Sequence, residues 1–419
     1  MTLKYSPSDC TELAFSGTRE WLVTDGLGGF AMGTISGLRT RRYHGLLIAA
    51  RQPPIGRIMT LASLDAFVTI KGVRVGLATH EWESGVIEPK GYAHLVSFTM
   101  ARGVPCWRWQ IGDVIVEREL AMAYGRNAVG VVHRVISAPG PIHLQLEALV
   151  TNRDVHSERH ASGTPLVEQR ADGFSFEDTV HMRADGWNPA GDWYLGVHHR
   201  EEAARGFAAS EDLWLAGRVG VTLDAGSQHE VIAWTGDISS SPKAAIELID
   251  DSRARYTEVG TKAGANDHTS SMLAHAVDQF IVTGSGGPTV VAGYPWFGDW
   301  SRDTMTSYEG LFLATGRIDE GRATLQNAAA SLSEGMLANT EDAGGKEYNT
   351  VDAALWLLHA VDRHRAYESA SRAASAAAQG DNDLGRELLD DLVSVIAHYR
   401  SGTRFGIHVD GVDEGPKRP

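Results

Sequence analysis

The chain has 419 residues, of which 43% are hydrophobic and 22% charged, and its net charge is −15 at pH 7. This length predicts two domains, and the acidic balance argues against nucleic acid as the main partner, because that role needs clustered Lys and Arg. Cys10 and Cys106 are the only cysteines, so neither a disulfide framework nor a cysteine metal site is expected. The N-terminus has no secretory pattern and no apolar run reaches membrane-spanning length, which predicts a cytoplasmic protein without a membrane partner.

Residues 1–240 predict a β-rich domain. Short apolar segments at 43–48, 66–70 and 128–132 lie between Gly, Pro and Asp turns, and the segments 106–111 and 142–146 alternate as half-buried strands do. Many short strands with regular turns are typical of a large antiparallel sandwich.

Two motifs near the start of this domain resemble binding sites. The segment 26–31, Gly-Leu-Gly-Gly-Phe-Ala, matches a dinucleotide fingerprint, but the strand before and the helix after it are missing, which favours a tight glycine turn between strands. The segment 39–45 that follows has three arginines in four residues. Either it is a solvated edge strand or it lines a site, in which case Arg42 and His44 are the candidates for contact with a bound molecule.

The hydrophobic period changes near residue 240. A helix is predicted over 243–258, a polar loop over 260–267, and helical spacing resumes at His268. We therefore predict a helical linker at 241–267 and a helical domain at 268–419. Further helices are predicted at 305–314, 318–332, 350–365 and 384–399, and the Ala/Ser-rich run 369–379 is given no function.

The segment 292–304 combines aromatic rings, two carboxylates and an arginine just before a helix. These residues are Trp296, Phe297, Asp299, Trp300, Arg302 and Asp303. Aromatic faces stack on pyranose rings, and carboxylates move protons or stabilise positive charge at the anomeric carbon. A purely structural turn is the alternative, but polar groups beside so many aromatics are costly to bury. The segment predicts a carbohydrate site.

A second polar cluster spans residues 341–352, with Asn339 and Thr340 just before it. In a structural interpretation, Thr350 caps the next helix and Asp352 lies in its first turn. In a functional one, Tyr348, Asn349 and Asp352 form hydrogen bonds with sugar hydroxyls. Metal and nucleotide sites are not predicted, since the histidines lack ligand spacing and no phosphate-binding loop occurs.

Three segments together resemble prokaryotic glycogen debranching enzymes. Residues 20–30, Glu-Trp-Leu-Val-Thr-Asp-Gly-Leu-Gly-Gly-Phe, and 41–47, Arg-Arg-Tyr-His-Gly-Leu-Leu, look like the family's N-terminal domain. Residues 296–304, Trp-Phe-Gly-Asp-Trp-Ser-Arg-Asp-Thr, are similar to the opening of the amylo-α-1,6-glucosidase domain. Residues 347–356, Glu-Tyr-Asn-Thr-Val-Asp-Ala-Ala-Leu-Trp, resemble its next loop and helix.

The resemblance implies a β-supersandwich followed by an (α/α)6 barrel, and hydrolysis of α-1,6-linked glucose at branch points of glycogen or limit dextrin. It implies inversion, with Asp303 as the general acid, and no cofactor. A general acid must hold its proton, and burial of Asp303 among Trp296, Phe297 and Trp300 would favour that. By the same resemblance, Asp299 and Arg302 bind hydroxyls or orient Asp303, and Tyr348, Asn349 and Asp352 hold the terminal glucose.

The helical part is short for this family. Residues 268–419 supply about half of the helices of an (α/α)6 barrel, so the barrel is expected to be incomplete and the general base to lie beyond Pro419. Two alternatives remain open: a glucoamylase-like α-1,4-glucosidase, and a glucan-binding fragment without catalysis. The oligomeric state is not predicted.

Overall fold

The computed structural model describes residues 3–342, 345–374 and 383–409. The chain divides into two compact units, Met1–Glu258 and Val259–Pro419. Part of the Ala/Ser-rich run and the last ten residues lie outside the described residues. The predicted boundaries at 240 and 268 stay predictions.

The first unit is formed mainly by strands. They are β1 Leu3–Tyr5, β2 Glu20–Thr24, β3 Phe30–Thr34, β4 Gly45–Gln52, β5 Ile55–Ile70, β6 Val73–Gly76, β7 Thr79–Glu81, β8 Ile87–Lys90, β9 Leu95–Ala101, β10 Val104–Ile111, β11 Val114–Met122, β12 Ala128–Ser137, β13 Ile142–Asp154, β14 Val167–Arg170, β15 Gly173–Phe176, β16 Val180–Arg183, β17 Trp187–His198, β18 Ser210–Leu223 and β19 Gln228–Thr235. Short helices accompany them, namely α1 Pro7–Thr11, α2 Leu13–Ser16, a 3-10 turn Gly91–His94 and α3 Arg200–Ala204.

In the described residues all of these strands except β7 and β8, which pair with each other, form two large antiparallel sheets. The nine-stranded sheet has the order β1-β9-β10-β11-β12-β19-β16-β15-β14, and the eight-stranded sheet has the order β17-β18-β13-β5-β4-β3-β2 with β6 paired to β5. Buried side chains from both sheets pack in one cluster, for example Trp107 and Leu120 against Leu61 and Leu146. The predicted N-terminal β-sandwich is therefore confirmed.

The glycine segment after β2 is a turn. Gly26 and Gly28 have φ angles of +73° and +95°, in the left-handed region that favours glycine. The Asp25 carboxylate accepts hydrogen bonds from the backbone N–H groups of Leu27 and Gly29 at 2.8 and 3.0 Å. The chain thus returns directly into β3, as the sequence predicts, and no dinucleotide-binding strand–helix unit forms.

Helices dominate from α4 onward. They are α4 Ala245–Lys262, α5 His268–Phe280, α6 Ser301–Tyr308 with a π-helical turn Glu309–Leu313, α7 Ile318–Ala330, α8 Ala353–Ala374, α9 Leu384–Glu387 and α10 Leu389–Ser401. Two hairpins of short strands interrupt them: β20 Ile281–Gly284 with β21 Gly287–Val290, and β22 Thr340–Asp342 with β23 Gly345–Glu347. The predicted helix 384–399 is broken at Leu388, which separates α9 from α10.

The helical spacing of apolar residues explains how the second unit packs. Met305 of α6 and Phe312 of the π-helical turn belong to one buried cluster. The cluster also contains Leu325 of α7, Leu357 of α8 and Val395 of α10. Asp267 begins α5 with a capping box, accepting from the Ser270 backbone N–H at 2.7 Å. None of the helices in the described part of the chain is long and apolar enough to cross a membrane.

Candidate functional site

The segment from Trp296 to Asp303 delivers its polar residues to the beginning of α6. Asp299 forms an antiparallel bridge with Val291, and its carboxylate accepts a hydrogen bond from the Thr289 hydroxyl at 3.3 Å. The chain then enters α6 through Trp300, whose carbonyl accepts from the backbone N–H and the hydroxyl of Thr304, both at 3.0 Å. The strand bridge before the helix fixes where the first turn of α6 begins.

Asn339 anchors this first turn from outside the helix. Its backbone carbonyl accepts from the Ser301 N–H at 2.7 Å, and its side-chain Oδ1 accepts from the Arg302 N–H at 3.2 Å. The first N–H groups of a helix have no partner within the helix, and Asn339 satisfies two of them. Because Asn339 is only 1% exposed, its anchor is shielded from water.

Asn339 also holds the second polar cluster. Its Nδ2 donates to Oδ1 of Asn349 at 2.8 Å, and its backbone N–H donates to the carbonyl of Glu347 at 2.7 Å. Asn349 in turn donates to the Glu347 carboxylate at 3.1 Å. The two segments singled out in the sequence are thereby joined through one buried amide side chain.

The ion pair Arg302–Asp352 makes a second connection between these segments. Arg302 Nη2 lies 3.1 Å from Asp352 Oδ2, and the two side chains are 53% and 36% exposed. Asp352 directly precedes α8, and its carbonyl accepts from the Trp356 N–H at 2.9 Å. The predicted helix start at 350 is three residues early, so Asp352 lies at the cap position and not in the first turn.

Asp303 lies in the first turn of α6 and its side chain is exposed. Its backbone carbonyl accepts from the hydroxyls of Thr306 and Ser307 at 3.1 and 2.5 Å. The expected burial of Asp303 among aromatic rings is therefore wrong in this structure. The carboxylate is instead presented at the surface of the second unit.

The aromatic side chains of the site are only partly covered. Phe297 is 47% exposed, and its ring centroid lies 5.5 Å from that of Trp300 at an interplanar angle of 70°. Trp296 and Trp300 are half-buried. Tyr348 is also half-buried, with its ring 6.4 Å from that of Phe405 and 5.0 Å from the Arg404 guanidinium carbon. Each ring thus keeps some surface open for contact with a ligand.

Arg42 and His44 lie in the first unit and are buried. Arg42 donates to the carbonyls of His156 and Ala208 at 2.6 and 3.0 Å and forms an ion pair with Glu158 at 2.6 Å. The two ring nitrogens of His44 lie 3.1 Å from the Thr40 N–H and 3.0 Å from the Glu20 carboxylate. Both ring nitrogens of His44 and both terminal nitrogens of Arg42 thus have partners within the protein, whereas Arg42 Nε has only the Glu202 carboxylate at 3.7 Å. Contact of Arg42 and His44 with substrate stays a prediction.

The organising role of Asn339 was not predictable from spacing. In the sequence it is a polar neighbour of the second cluster, in no recognisable motif. The sequence shows only a single Asn shortly before a loop rich in Glu, Asn and Asp. Because Asn is common in turns, its presence there does not indicate a special role. Its role depends on burial and on partners 10 and 37 residues away.

One group in the described residues has the side chains for a metal ion: Cys106, Glu117 and Glu119. Arginines already occupy its carboxylates. Arg108 lies 2.6 Å from Glu117, and Arg134 lies 2.5 Å from Glu119. Burial raises the pKa of the Cys106 thiol to about 12, which disfavours the thiolate that metals bind. The group is better described as a network of ion pairs.

Comparisons with known proteins bear on both units. The family model "Glycogen debranching enzyme N terminal" matches residues 19–230, and the model "Amylo-alpha-1,6-glucosidase" matches residues 275–414. The glycogen debranching enzyme of Saccharomyces cerevisiae is 36% identical over 96 residues, which are 22% of this chain and 6% of that protein. This chain thus spans a small part of that relative's length.

Among solved structures, a family GH92 alpha-mannosidase from Bacteroides thetaiotaomicron aligns with 96% of this chain and 65% of its own, at 11% identity and a TM-score of 0.27. That likeness is too weak to inform the fold. The debranching-enzyme N-terminal model alone matches about half of the chain. The glucosidase model matches most of the helical unit. The chain belongs to the glycogen debranching enzyme family.

Proposed function

We propose that this protein hydrolyses α-1,6-linked glucose at the branch points of glycogen or limit dextrin. The supporting observation is that the buried amide of Asn339 binds the backbone of Arg302 and the side chain of Asn349, and that Arg302 pairs with Asp352. Asp303 follows Arg302 in the first turn of α6. This cluster lies in the part of the chain that matches amylo-α-1,6-glucosidase. Cleavage of a glycosidic bond needs carboxyl groups beside groups that form hydrogen bonds with sugar hydroxyls, and the cluster contains both.

In this proposal Asp303 is the general acid. It donates its proton to the glycosidic oxygen as the bond to the anomeric carbon breaks. Arg302, Asn349 and Asp352 hold the hydroxyls of the terminal glucose, and the half-exposed rings of Phe297 and Trp300 contact the apolar faces of the sugar. Exposure of Asp303 leaves it reachable by a branched polymer, and a bound sugar would shield it from water and favour its protonated form.

We infer inversion at the anomeric carbon from the family. An inverting hydrolase activates a water with a second carboxylate about 6.5–9.5 Å from the first. Among the described side chains the candidates for this base are Asp299, Glu347 and Asp352, and the proposal leaves the assignment open. In the same proposal the helical unit is part of an (α/α)6 barrel, and the enzyme works in the cytoplasm without a cofactor.

The test is release of free glucose from limit dextrin whose branches have been trimmed to single α-1,6-linked glucose residues, by the full chain, its Asp303→Asn variant and an Asp319→Asn control. Asp319 is also an exposed Asp in the first turn of a helix, α7, away from the cluster in sequence. We expect Asp303→Asn to abolish release and Asp319→Asn to leave it unchanged. The anomer first formed, read by NMR, would be β-glucose if the reaction inverts.

Two further substrates separate the remaining possibilities. Faster release from linear maltooligosaccharides than from limit dextrin would identify an α-1,4-glucosidase. Retention on immobilised glycogen with no release from either substrate would identify a glucan-binding protein and contradict the hydrolase. Equal release by the wild type and Asp303→Asn would remove Asp303 from the mechanism.

A further inference from the structure

A polar cavity lies inside the β-sandwich of the first unit, far in sequence from the proposed hydrolase site. Its volume, counted as the space open to the centres of water-sized molecules, is about 40 Å³. The motif-rich stretch 21–45 contributes Trp21, Arg39 and several glycines to its wall, and the rest of the wall includes Asp65, Trp109 and Arg118. A charged lining is unexpected between two sheets, because ions are costly to bury without partners.

Arg118 is the residue that makes the cavity unusual. It lies on β11 in phase with Val116 and Leu120, which are buried in the sandwich core at 1% and 0% exposure. Its guanidinium carbon lies 4.2 Å from the ring centroid of Trp107 and 5.4 Å from that of Trp109. Arg118 as a whole is partly exposed, but its Nε is buried and has no hydrogen-bond partner in the described part of the chain. The Asp65 carboxylate acts on it electrostatically without forming an ion pair with it.

The other charges around the cavity leave Arg118 unmatched. Asp65 is occupied, since its carboxylate accepts from the Ser63 hydroxyl at 2.5 Å and contacts His80 Nε2 at 2.6 Å. Arg39 is 5% exposed and forms an ion pair with Glu211, but its Nη1 has no hydrogen-bond partner among the described residues.

The balance of charge in this region is positive. Glu211 is shared between Arg39 at 2.6 Å and Arg153 at 2.5 Å. With Asp65 and Arg118 included, three guanidinium groups face two carboxylates. Burial lowers the pKa of Arg118 to about 10, so it keeps its charge at neutral pH. Burial, reinforced by Arg118, holds the pKa of neighbouring His133 well below its usual range, so that ring is neutral.

We propose that this cavity binds a small monovalent anion of the halide class, held by the guanidinium groups of Arg118 and Arg39. The volume supports this choice of ligand. A water needs about 10–15 Å³ of this measure, so the cavity has room for a halide and one or two waters but not for a hexose. An anion there would neutralise the excess charge and give the unpartnered N–H groups an acceptor.

The proposal is independent of hydrolase activity and is tested by thermal melting of the full chain. Melting temperatures are compared in sodium chloride, sodium bromide and sodium gluconate at equal ionic strength, since gluconate is too large for the cavity. A ligand that binds only the folded state stabilises it in a saturable way. We expect the halides to raise the melting temperature by about 3 °C over gluconate, with saturation as halide replaces gluconate.

Arg118→Met, which keeps much of the packing on Trp107 and Trp109, is expected to lose this halide response. Arg170→Met is the control, because Arg170 is 46% exposed and pairs with Glu168 at only 3.9 Å; it should retain the response. Bromide anomalous scattering from wild-type crystals decides the matter if Arg118→Met does not fold. A bromide peak in the cavity together with a saturating response supports the site. Ordered water alone, or a peak without the response, overturns it.

Discussion

The two polar clusters, one in each unit, use similar residue types in opposite environments. Around Glu211 in the first unit, the carboxylate is 0% exposed and lies between the guanidinium groups of Arg39 and Arg153. At the start of α6 in the second unit, Arg302 is 53% exposed, its partner Asp352 is 36% exposed, and Asp303 faces solvent. Residue types therefore do not separate a structural cluster from a binding one. What separates them is exposure, since the Glu211 carboxylate is enclosed by its arginine partners whereas Arg302 and Asp303 can be reached by a large ligand.

The largest loss of stability is expected for Glu211→Gln, in the buried cluster of Arg39, Arg153 and Glu211. This change removes the charge between Arg39 and Arg153 and leaves two guanidinium groups buried. Breaking a buried ion pair from one side costs about 3–5 kcal/mol, and we expect a loss of that size in the free energy of unfolding measured in urea. Glu168→Gln on β14, which removes the exposed pair with Arg170, should change it by less than about 0.5 kcal/mol. Equal effects would show that the Glu211 cluster contributes no more than a surface pair.

The first unit should also lose stability as the pH rises from about 4 to about 7. Burial raises the pKa of Asp25 to about 7. Hydrogen bonds from the backbone N–H groups of Leu27 and Gly29 lower this pKa, but burial has the larger effect. The folded state therefore holds a proton that the unfolded state releases near pH 4, so stability falls between about pH 4 and pH 7 and levels off above. We expect the wild type to lose about 2 kcal/mol more than Asp25→Asn between pH 5 and pH 8 in urea unfolding.

Exposed Asp113 provides the control for this pH dependence. Asp113→Asn should follow the wild-type curve. Parallel curves for the wild type and Asp25→Asn would show that Asp25 titrates alike in the folded and unfolded states.

Asn339 is buried and binds both Arg302 and Asn349 of the exposed cluster at the start of α6. Replacing it tests whether it holds these two residues in place. Asn339→Ala removes the acceptor of the Arg302 N–H and the donor to Asn349, and leaves buried groups without partners. We expect a loss of about 1–3 kcal/mol in unfolding free energy and faster hydrogen exchange at the Arg302 amide.

Two variants calibrate that result. Asn339→Asp keeps the acceptor for α6 and loses only the donor, so exchange at Arg302 should stay closer to wild type. Asn327→Ala removes an exposed Asn that donates to the Gly286 carbonyl at 2.7 Å, and should have little effect. Unchanged exchange in Asn339→Ala would remove Asn339 from the anchoring of α6.

The exposed ion pair Arg302–Asp352 should contribute least to the free energy of unfolding. Arg302→Gln breaks the ion pair with Asp352, and a surface pair contributes about 0–1 kcal/mol. If the proposed function holds, the same variant should strongly weaken glucose release or retention on glycogen. A large loss of stability would instead assign Arg302 a structural role like that of Arg39.

Much of the fold follows from periodicity. The alternation in 106–111 predicts β10, and the helical spacing in 318–332 predicts α7 to within two residues. The break at Leu388 was not predicted, because the apolar spacing continues across it. The same alternation places Arg118 in phase with core-facing Val116 and Leu120 on β11.

The site was predictable in composition but not in arrangement. The residue types around Asp303 indicate sugar chemistry, whereas exposure depends on which distant segments cover a side chain. A lone Asn339 carries no spacing signal, because its partners come from α6 and from the loop before α8. Arg42 and His44 lie in a motif that is equally rich in functional residue types, yet both are buried and bound mainly to groups of the first unit.

The placement of the tryptophans divides their fluorescence into two classes. In the first unit Trp21, Trp107, Trp109, Trp187, Trp214 and Trp234 are buried and Trp82 and Trp193 are half-buried, and in the second Trp296 and Trp300 are half-buried and Trp356 is exposed. Buried indoles emit at shorter wavelengths than hydrated ones. The blue side of the emission spectrum therefore reports on the core of the first unit, whereas the red edge comes from both units. A glucan that covers Trp300 would change the red edge and leave the blue side in place, so sugar binding and unfolding of the sandwich give different spectral changes without a label.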